Sequence, residues 1–388
     1  MKNITSKKNK KIVVAFFFES LGSWEGEKNY LRSLITAINE YHDNFVKVKI
    51  ISSKNICKNL KKIKLKNIEI IDSRLFSETS FLNLFRKIIG RILKKYDPII
   101  LYFIKKYKID IISHYKPSYY CKTICWTPDF QHINFPMNFS NKEITRRNNL
   151  YNNIVENSSV VLLSSNSSVQ DLKKFTYKKI NYKKLNFVPN LDFNYLNEKK
   201  LKKYKLKNYF LVPNQFWKHK NHLVLIKAVN KLKSSNAKFK IIFTGDKKSQ
   251  TDQSVYKNIM YEIKKKKLQR FFLYLGKIPY SNLINLMYRS KALINPSFFE
   301  GWSTSVEEAK ILNKKVLLSD IKVHREQNPI KSYFFHPQNH IELSKIILKV
   351  IKQKDTNKSL KILKKRYLYY RAKFAKEYFN IIKHTYKI

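Results

Sequence analysis

Hydrophobic positions in this chain follow two patterns that alternate along its length. Short continuous apolar runs, beginning with Ile12 to Phe18 (IVVAFFF), read as parallel strands buried on both faces. Between them, apolar residues recur three or four apart, as at Tyr30, Leu31, Leu34 and Ile38, which predicts an amphipathic helix from about Glu27. The alternation continues through Lys47 to Ile51, Ile68 to Ile71, a helix-like segment from Phe81 to Tyr96, Ile109 to His114, Lys122 to Trp126 and Val160 to Leu163. A polar, lysine-heavy stretch over 191–208 reads as a linker. A second series then follows: Tyr209 to Pro213, Lys240 to Asp246, Leu273 to Gly276, Ala292 to Ile294 and, last, Lys315 to Asp320. Two blocks of strand and helix predict an α/β protein with two Rossmann-like domains, over 1–190 and 209–365. The tail over 366–388 reads as a basic, tyrosine-rich helix.

A length of 388 residues is enough for two full-sized cores, and the formal charge of +52 sets the surface apart. The basic residues are mostly lysine and are spread along the whole chain. That spread suits a compositional bias better than a dedicated nucleic-acid face. Such a surface attracts anionic lipid, nucleic acid and nucleotide-linked anions. Three cysteines, Cys57, Cys121 and Cys125, fit a reducing compartment, and Cys121-x3-Cys125 lacks the second ligand pair that zinc requires. No stretch reaches the roughly 18 apolar residues that span a bilayer. The expected location is therefore cytoplasmic, peripheral on the inner face of the membrane. The chain carries no G-x-x-x-x-G-K-[ST], G-x-S-x-G or H-E-x-x-H motif and no D-x-D for a metal-held nucleotide sugar, so no metal is expected.

Candidate chemistry concentrates in Ala292 to Ala309, ALINPSFFEGWSTSVEEA. A short strand runs through the turn Asn295-Pro296-Ser297 into Glu300-Gly301-Trp302-Ser303-Thr304 and then a helix. Ser303, Thr304 and Ser305 are N-cap residue types. Free N–H groups of a first helical turn make an anion site there. Upstream, the loop Asn214 to His222 carries Lys218 and Lys220 between a strand and a helix, placed to meet phosphate. In the first block, a glycine-containing loop from Glu19 to Gly26 follows the first strand. Asp129 and His132 lie on an aromatic, proline-bounded loop and are expected to face a cleft rather than a core.

The string Glu300-Gly301-x6-Glu308-Ala309 behind a Pro-Ser turn resembles the Glu-x7-Glu signature of family 4 (group 1) retaining glycosyltransferases. That family has the GT-B fold, two Rossmann-like domains facing a central cleft. Val188-Pro189-Asn190 is similar to the turn that closes its first domain, and the tail would cross back to that domain. The resemblance implies a hexosyltransferase, of mannose among other sugars, acting in polysaccharide or lipopolysaccharide synthesis. Its substrates would be a nucleoside-diphosphate sugar and a glycan or lipid-linked acceptor, with an anionic membrane as a further partner and no nucleic acid.

Glu300 would bind donor-sugar hydroxyls and Glu308 the ribose. Lys220, Lys218 and the amides of Gly301, Trp302, Ser303 and Thr304 would hold the diphosphate without a metal or other cofactor. Gly245, at the end of the domain's second strand, belongs to the same donor side. Gly26, His132 and Asp129 would lie toward the acceptor. The family's arginine falls on Gln215 here and its glycine on Asn221, so Lys218 is the candidate for the missing charge. Two other classes fit parts of the pattern. A nucleotide-sugar epimerase of the same fold would use the same donor, and a basic nucleic-acid-binding protein would account for the charge alone.

Overall fold

A computed structural model of the protein describes residues 10–18, 25–61, 67–77, 80–93, 97–196, 206–247, 253–354 and 359–388. Most of the loop after the first strand (19–24) and the middle of the expected linker (197–205) lie outside these residues. The chain divides into two units, 1–188 with 370–388, and 189–369.

The first unit holds a seven-stranded sheet, all of whose pairs are parallel. Its strands are β1 (Ile12–Phe18), β2 (Val46–Ser52), β3 (Ile68–Asp72), β4 (Ile111–Ser113), β5 (Lys122–Thr127), β6 (Val160–Leu163) and β7 (Tyr182–Lys184). They lie in the order β3-β2-β1-β4-β5-β6-β7, so the direction of winding reverses beside β1, between it and β4. β1 is apolar without alternation because it is central: Val14, Ala15, Phe16 and Phe17 are all buried. Val13, Ala15 and Phe17 face one side, where they pack with Phe103 and Ile104 of the helix Pro98–Tyr107. Gly26 lies in the first turn of the helix Glu25–His42 rather than in a loop, which starts slightly earlier than the apolar spacing indicates.

Residues 370–388 complete this unit with the second half of the long helix Leu360–Lys387. Phe374, Tyr378 and Ile382 are buried. Arg371 is buried too, and its guanidinium reaches three side chains of the helix Glu25–His42: Glu40 Oε2 at 2.7 Å, Thr36 Oγ1 at 2.6 Å and Ser33 Oγ at 3.4 Å. A guanidinium so enclosed needs these acceptors, because an unpaired buried charge would cost far more than the bonds return.

The second unit has six parallel strands: β8 (Tyr209–Val212), β9 (Lys240–Phe243), β10 (Phe272–Tyr274), β11 (Ala292–Asn295), β12 (Val316–Ser319) and β13 (Ser332–Phe335). Their order is β10-β9-β8-β11-β12-β13, with the reversal between β8 and β11. Open sheets of this kind bind ligands at such a reversal, beyond the carboxyl ends of the strands, because the flanking loops diverge there.

Replacing Arg371 with alanine should lower the unfolding free energy by about 1–3 kcal/mol, the range for a buried charged hydrogen-bonding group whose partner Glu40 stays half exposed. Urea denaturation measures this. An unchanged midpoint would mean that apolar contacts alone hold the C-terminal helix.

Candidate active site

In the second unit, the loops after β8 and β11 emerge side by side at the reversal. The β8 loop is anchored by Phe216, which is fully buried against Phe243, Tyr256 and Tyr274, with the His222 ring stacked on it at 4.7 Å. Residues Lys218–Lys220 form one 3-10 turn that ends at Asn221 in the left-handed conformation, φ +51°. Asn is among the few side-chain-bearing residues that adopt this readily. Its Nδ2 also donates to the carbonyls of Pro296 at 3.0 Å and Pro337 at 2.7 Å. This asparagine thus sets the backbone turn and ties three loops together.

The β11 loop rests on a buried polar frame. Asn295, at the end of β11, donates from Nδ2 to Ser303 Oγ at 2.8 Å and to Glu300 Oε1 at 3.3 Å. Its Oδ1 accepts from Asn214 Nδ2 at 3.3 Å and from the Ser297 amide at 3.3 Å. The Ser297 hydroxyl, with a single proton, lies 2.6 Å from Asn295 Oδ1 and 2.7 Å from Glu300 Oε1. From β12 and the helix Lys322–Gln327, Ser319 donates to the Ser297 carbonyl and also contacts His324 Nδ1. Gln327 Nε2 donates to the Ser303 carbonyl at 2.8 Å and to Glu307 Oε1 at 3.1 Å.

Glu300 sits on this frame, buried, and receives Lys220 Nζ at 2.8 Å on Oε1 and 2.9 Å on Oε2. Burial by itself would raise its pKa. The Lys220 ammonium, as ion pair and as donor, outweighs burial and holds the Glu300 carboxyl down at about 2. Glu308, one turn into the helix Thr304–Ile311, is as deeply buried and has no ion pair among the described residues. Burial pushes it up to about 7, against a 2.8 Å hydrogen bond from the Tyr280 hydroxyl. Glu307 is likewise pushed up to about 7 by burial, with Lys310 at 3.7 Å and Gln327 opposing.

Ser303 occupies the N-cap of this helix, but its hydroxyl takes the Asn295 bond and makes no capping bond, which leaves the first-turn amides of Ser305 and Val306 without that side-chain partner. Gly301 and Trp302 are half-buried beside it. Lys218 is exposed and Gln215 half-buried, both on the same loop as Lys220. Gly245 has φ +123°, and a Cβ there would stand 2.9 Å from the Asn214 carbonyl oxygen. Its observed task is to let the loop after β9 approach the base of the β8 loop.

The first unit has its own cluster at the β1/β4 reversal. His114, just past β4, adopts φ +58°. Its Nε2 lies 2.9 Å from the Tyr30 hydroxyl and its Nδ1 2.8 Å from Ser113 Oγ, which accepts from the Tyr378 hydroxyl at 2.7 Å. Burial lowers its pKa to about 3, so the ring is neutral. The Tyr30 ring stacks on Trp126 at 4.4 Å.

Residues 195–366 match the family model for glycosyl transferases group 1. The match lies within the second unit, over the strands that carry the site. The fold agrees: its two parallel-sheet domains are those of GT-B proteins. A glycosyltransferase from Rickettsia africae is 20% identical with a TM-score of 0.64, over 97% of this chain and 98% of that one. Anabaena Alr3699/HepE, in complex with UDP and glucose, is 14% identical with a TM-score of 0.62, over 97% and 95%. WaaG, a glycosyltransferase involved in lipopolysaccharide biosynthesis, is 13% identical with a TM-score of 0.59, over 97% and 95%. No curated protein matches the chain.

The structure brings Lys220, Glu300, Ser303 and the start of the Glu308 helix together at one reversal. It corrects the expectation that His132 faces a cleft. His132 is only 1% exposed, on a short helix Gln131–Asn134, where its ring packs against Tyr151 and Phe130 and its Nε2 meets Asn148 Oδ1 at 3.1 Å. Asp129 is half-buried, and its Oδ1 accepts the Gln131 amide at 2.9 Å. The aromatic residues that suggested an open loop instead fold it inward, Phe130 being fully buried against Tyr151 and Phe175. Sequence reasoning missed Tyr280, Asn295, His324 and Gln327 as site residues, because only the β8-β11-β12 neighbourhood brings them together.

Glu308 ionises near 7 in the fold against an ordinary value of 4.5, so the folded state holds the extra proton and stability falls as pH rises through that window. Glu308→Gln should flatten part of this fall, with Glu307 retaining the rest, in melting curves taken across that range. A melting temperature that depends on pH as steeply as in the parent would show that Glu308 is ionised throughout. Gly245→Ala should destabilise by about 1–3 kcal/mol through strain and the Asn214 contact, read as a lower melting temperature.

Proposed function

We propose that the protein is a group 1 glycosyltransferase that moves a hexose, mannose first among the candidates, from a nucleoside-diphosphate sugar to a glycan or lipid-linked acceptor with retention of configuration. The pathway assigned is cell-surface polysaccharide or lipopolysaccharide synthesis, at the cytoplasmic face of the membrane. The observation that carries the reading is the Lys220–Glu300 pair at the strand reversal, beside the start of the helix that carries Glu308. The structures of Anabaena HepE with UDP and with UDP-glucose support the donor class.

The Lys220 ammonium has three N–H donors, and Glu300 takes two. The third meets the diphosphate, with Lys218 and the amides of Gly301 to Thr304 sharing its charge. Fixed donors of this kind stabilise the leaving group as the anomeric C–O bond breaks. Glu300, ionised and therefore acceptor-only, takes hydrogen bonds from donor-sugar hydroxyls. Glu308 accepts from the ribose hydroxyls, which favours its ionised form. The new bond forms on the face that the leaving group vacates, and the diphosphate oxygen takes the acceptor proton. No metal is invoked in these steps. On the first unit we assign the acceptor to the carboxyl edge of the sheet near Gly26 and His114. Asp129 and His132 shape the adjacent loop.

Thermal-shift titration with UDP, GDP and ADP tests the donor site. A nucleotide at about 100 times its dissociation constant should stabilise by about 2.7 kcal/mol. A shift with one nucleotide that Glu308→Gln diminishes supports the assignment. Absence of any shift at low salt, together with salt-dependent duplex retention, would favour the nucleic-acid reading. Glu300→Gln should cut turnover by roughly a hundredfold or more while leaving nucleotide affinity nearly intact, as expected for a group acting on the transferring sugar. Product analysis without acceptor separates transfer from epimerisation.

A further inference from the structure

The helix Phe81–Ile92 of the first unit is amphipathic in the reverse sense. Its inward residues are polar. Arg86 and Asn83 are buried, and the Arg86 guanidinium donates to the Leu75 carbonyl at 3.0 Å, to Asn83 Oδ1 at 3.1 Å and to the Tyr115 hydroxyl at 3.2 Å, while lying 4.8 Å over the Phe76 ring. Its outward residues are apolar. Phe81, Leu84, Phe85, Ile88 and Ile92 recur three or four apart, which makes one stripe, and its ends Phe81 and Ile92 are 77% and 71% exposed. An outward stripe of this length is uncommon on a soluble surface and marks a binding face.

We propose that this stripe docks on an anionic lipid surface, inserting its apolar side chains at the level of the headgroups. Charge selects this occupant. Between residues 80 and 96 the sequence has no Asp or Glu, and besides the buried Arg86 it carries Lys87, Arg91, Lys94 and Lys95. An apolar stripe interleaved with cations is the composition of helices that lie in the membrane interface. A second copy of the chain would bring two formal charges of +52 together, which disfavours self-association. A nucleic-acid duplex would take the lysines but leave the Phe and Ile side chains in water. The proposal uses residues apart from the donor site, so each can fail without the other.

Vesicle flotation of the full chain tests it, using phosphatidylcholine alone and phosphatidylcholine with an equal part of phosphatidylglycerol. The parent protein should float with the anionic vesicles and much less with the neutral ones. Phe85→Ser/Ile88→Ser, which alters only exposed side chains, should keep its melting temperature and its nucleotide shift yet partition roughly tenfold or more weaker. Three results would overturn the proposal: a parent that stays at the bottom of the gradient, a double variant that floats like the parent, and a concentration-dependent dimer that the double variant abolishes. The second would assign binding to lysine charge alone, and the third would make a second copy the occupant.

Discussion

A buried carboxylate stays ionised only where a cation and further donors replace its lost water. The ion pair of Lys220 with Glu300 meets that condition, and much of the second unit is arranged around it. The two residues come from loops more than seventy positions apart and meet because β8 and β11 are neighbours where the winding reverses. Three glutamates in one short segment show how local the effect is. Glu300, Glu307 and Glu308 are all buried, yet the first is held at about 2 and the other two are pushed up to about 7. Burial is common to all three; only Glu300 has an ammonium bonded to both of its oxygens. The same stretch of chain thus presents one permanently charged acceptor beside two groups poised near neutrality.

The pair also depends on side chains with no charge. Asn295, Ser297 and Ser303 supply the donors and acceptors beneath Glu300, and Ser319, His324 and Gln327 brace them from the next strand and helix. Buried networks of this kind are stable only when nearly complete, since each missing partner leaves a desolvated group behind. Asn221 holds the loop that presents Lys220, and does so with backbone conformation and side-chain amide together.

Central strands were legible in the sequence, and so were the edge strands β3 and β10, whereas the edge strands β7 and β13 were not. β1, β8 and β11 are buried on both faces and therefore spell continuous apolar runs. β7, with the sequence Tyr-Lys-Lys, lies at a sheet edge with little burial, so no hydrophobic pattern marks it. β13 (Ser-Tyr-Phe-Phe) is four residues long at the opposite kind of edge and was equally silent. The string from Glu300 to Glu308 was readable because it is local in sequence, whereas the frame beneath it required strand order. His114 shows the same limit: it closes the run from Ile109, but only the β1/β4 reversal gives its position meaning. The spacing of Phe81 to Tyr96 announced a helix and could not say which side faces in, because Arg86 finds its acceptors on distant segments.

The way residues 370–388 complete the first unit has a consequence for biogenesis. Arg371 joins Glu40 across 331 positions and Tyr378 joins Ser113 across 265, so the core of the first unit gains its last helix only after the entire second unit has been synthesised. Domains that fold as they emerge from the ribosome normally finish in order. Here the earlier unit waits, with the surface that receives Phe374, Tyr378 and Ile382 uncovered, while the later one can already close its sheet. The chain is therefore expected to mature from its middle outward, and truncation near its C-terminus would damage the unit that was translated first.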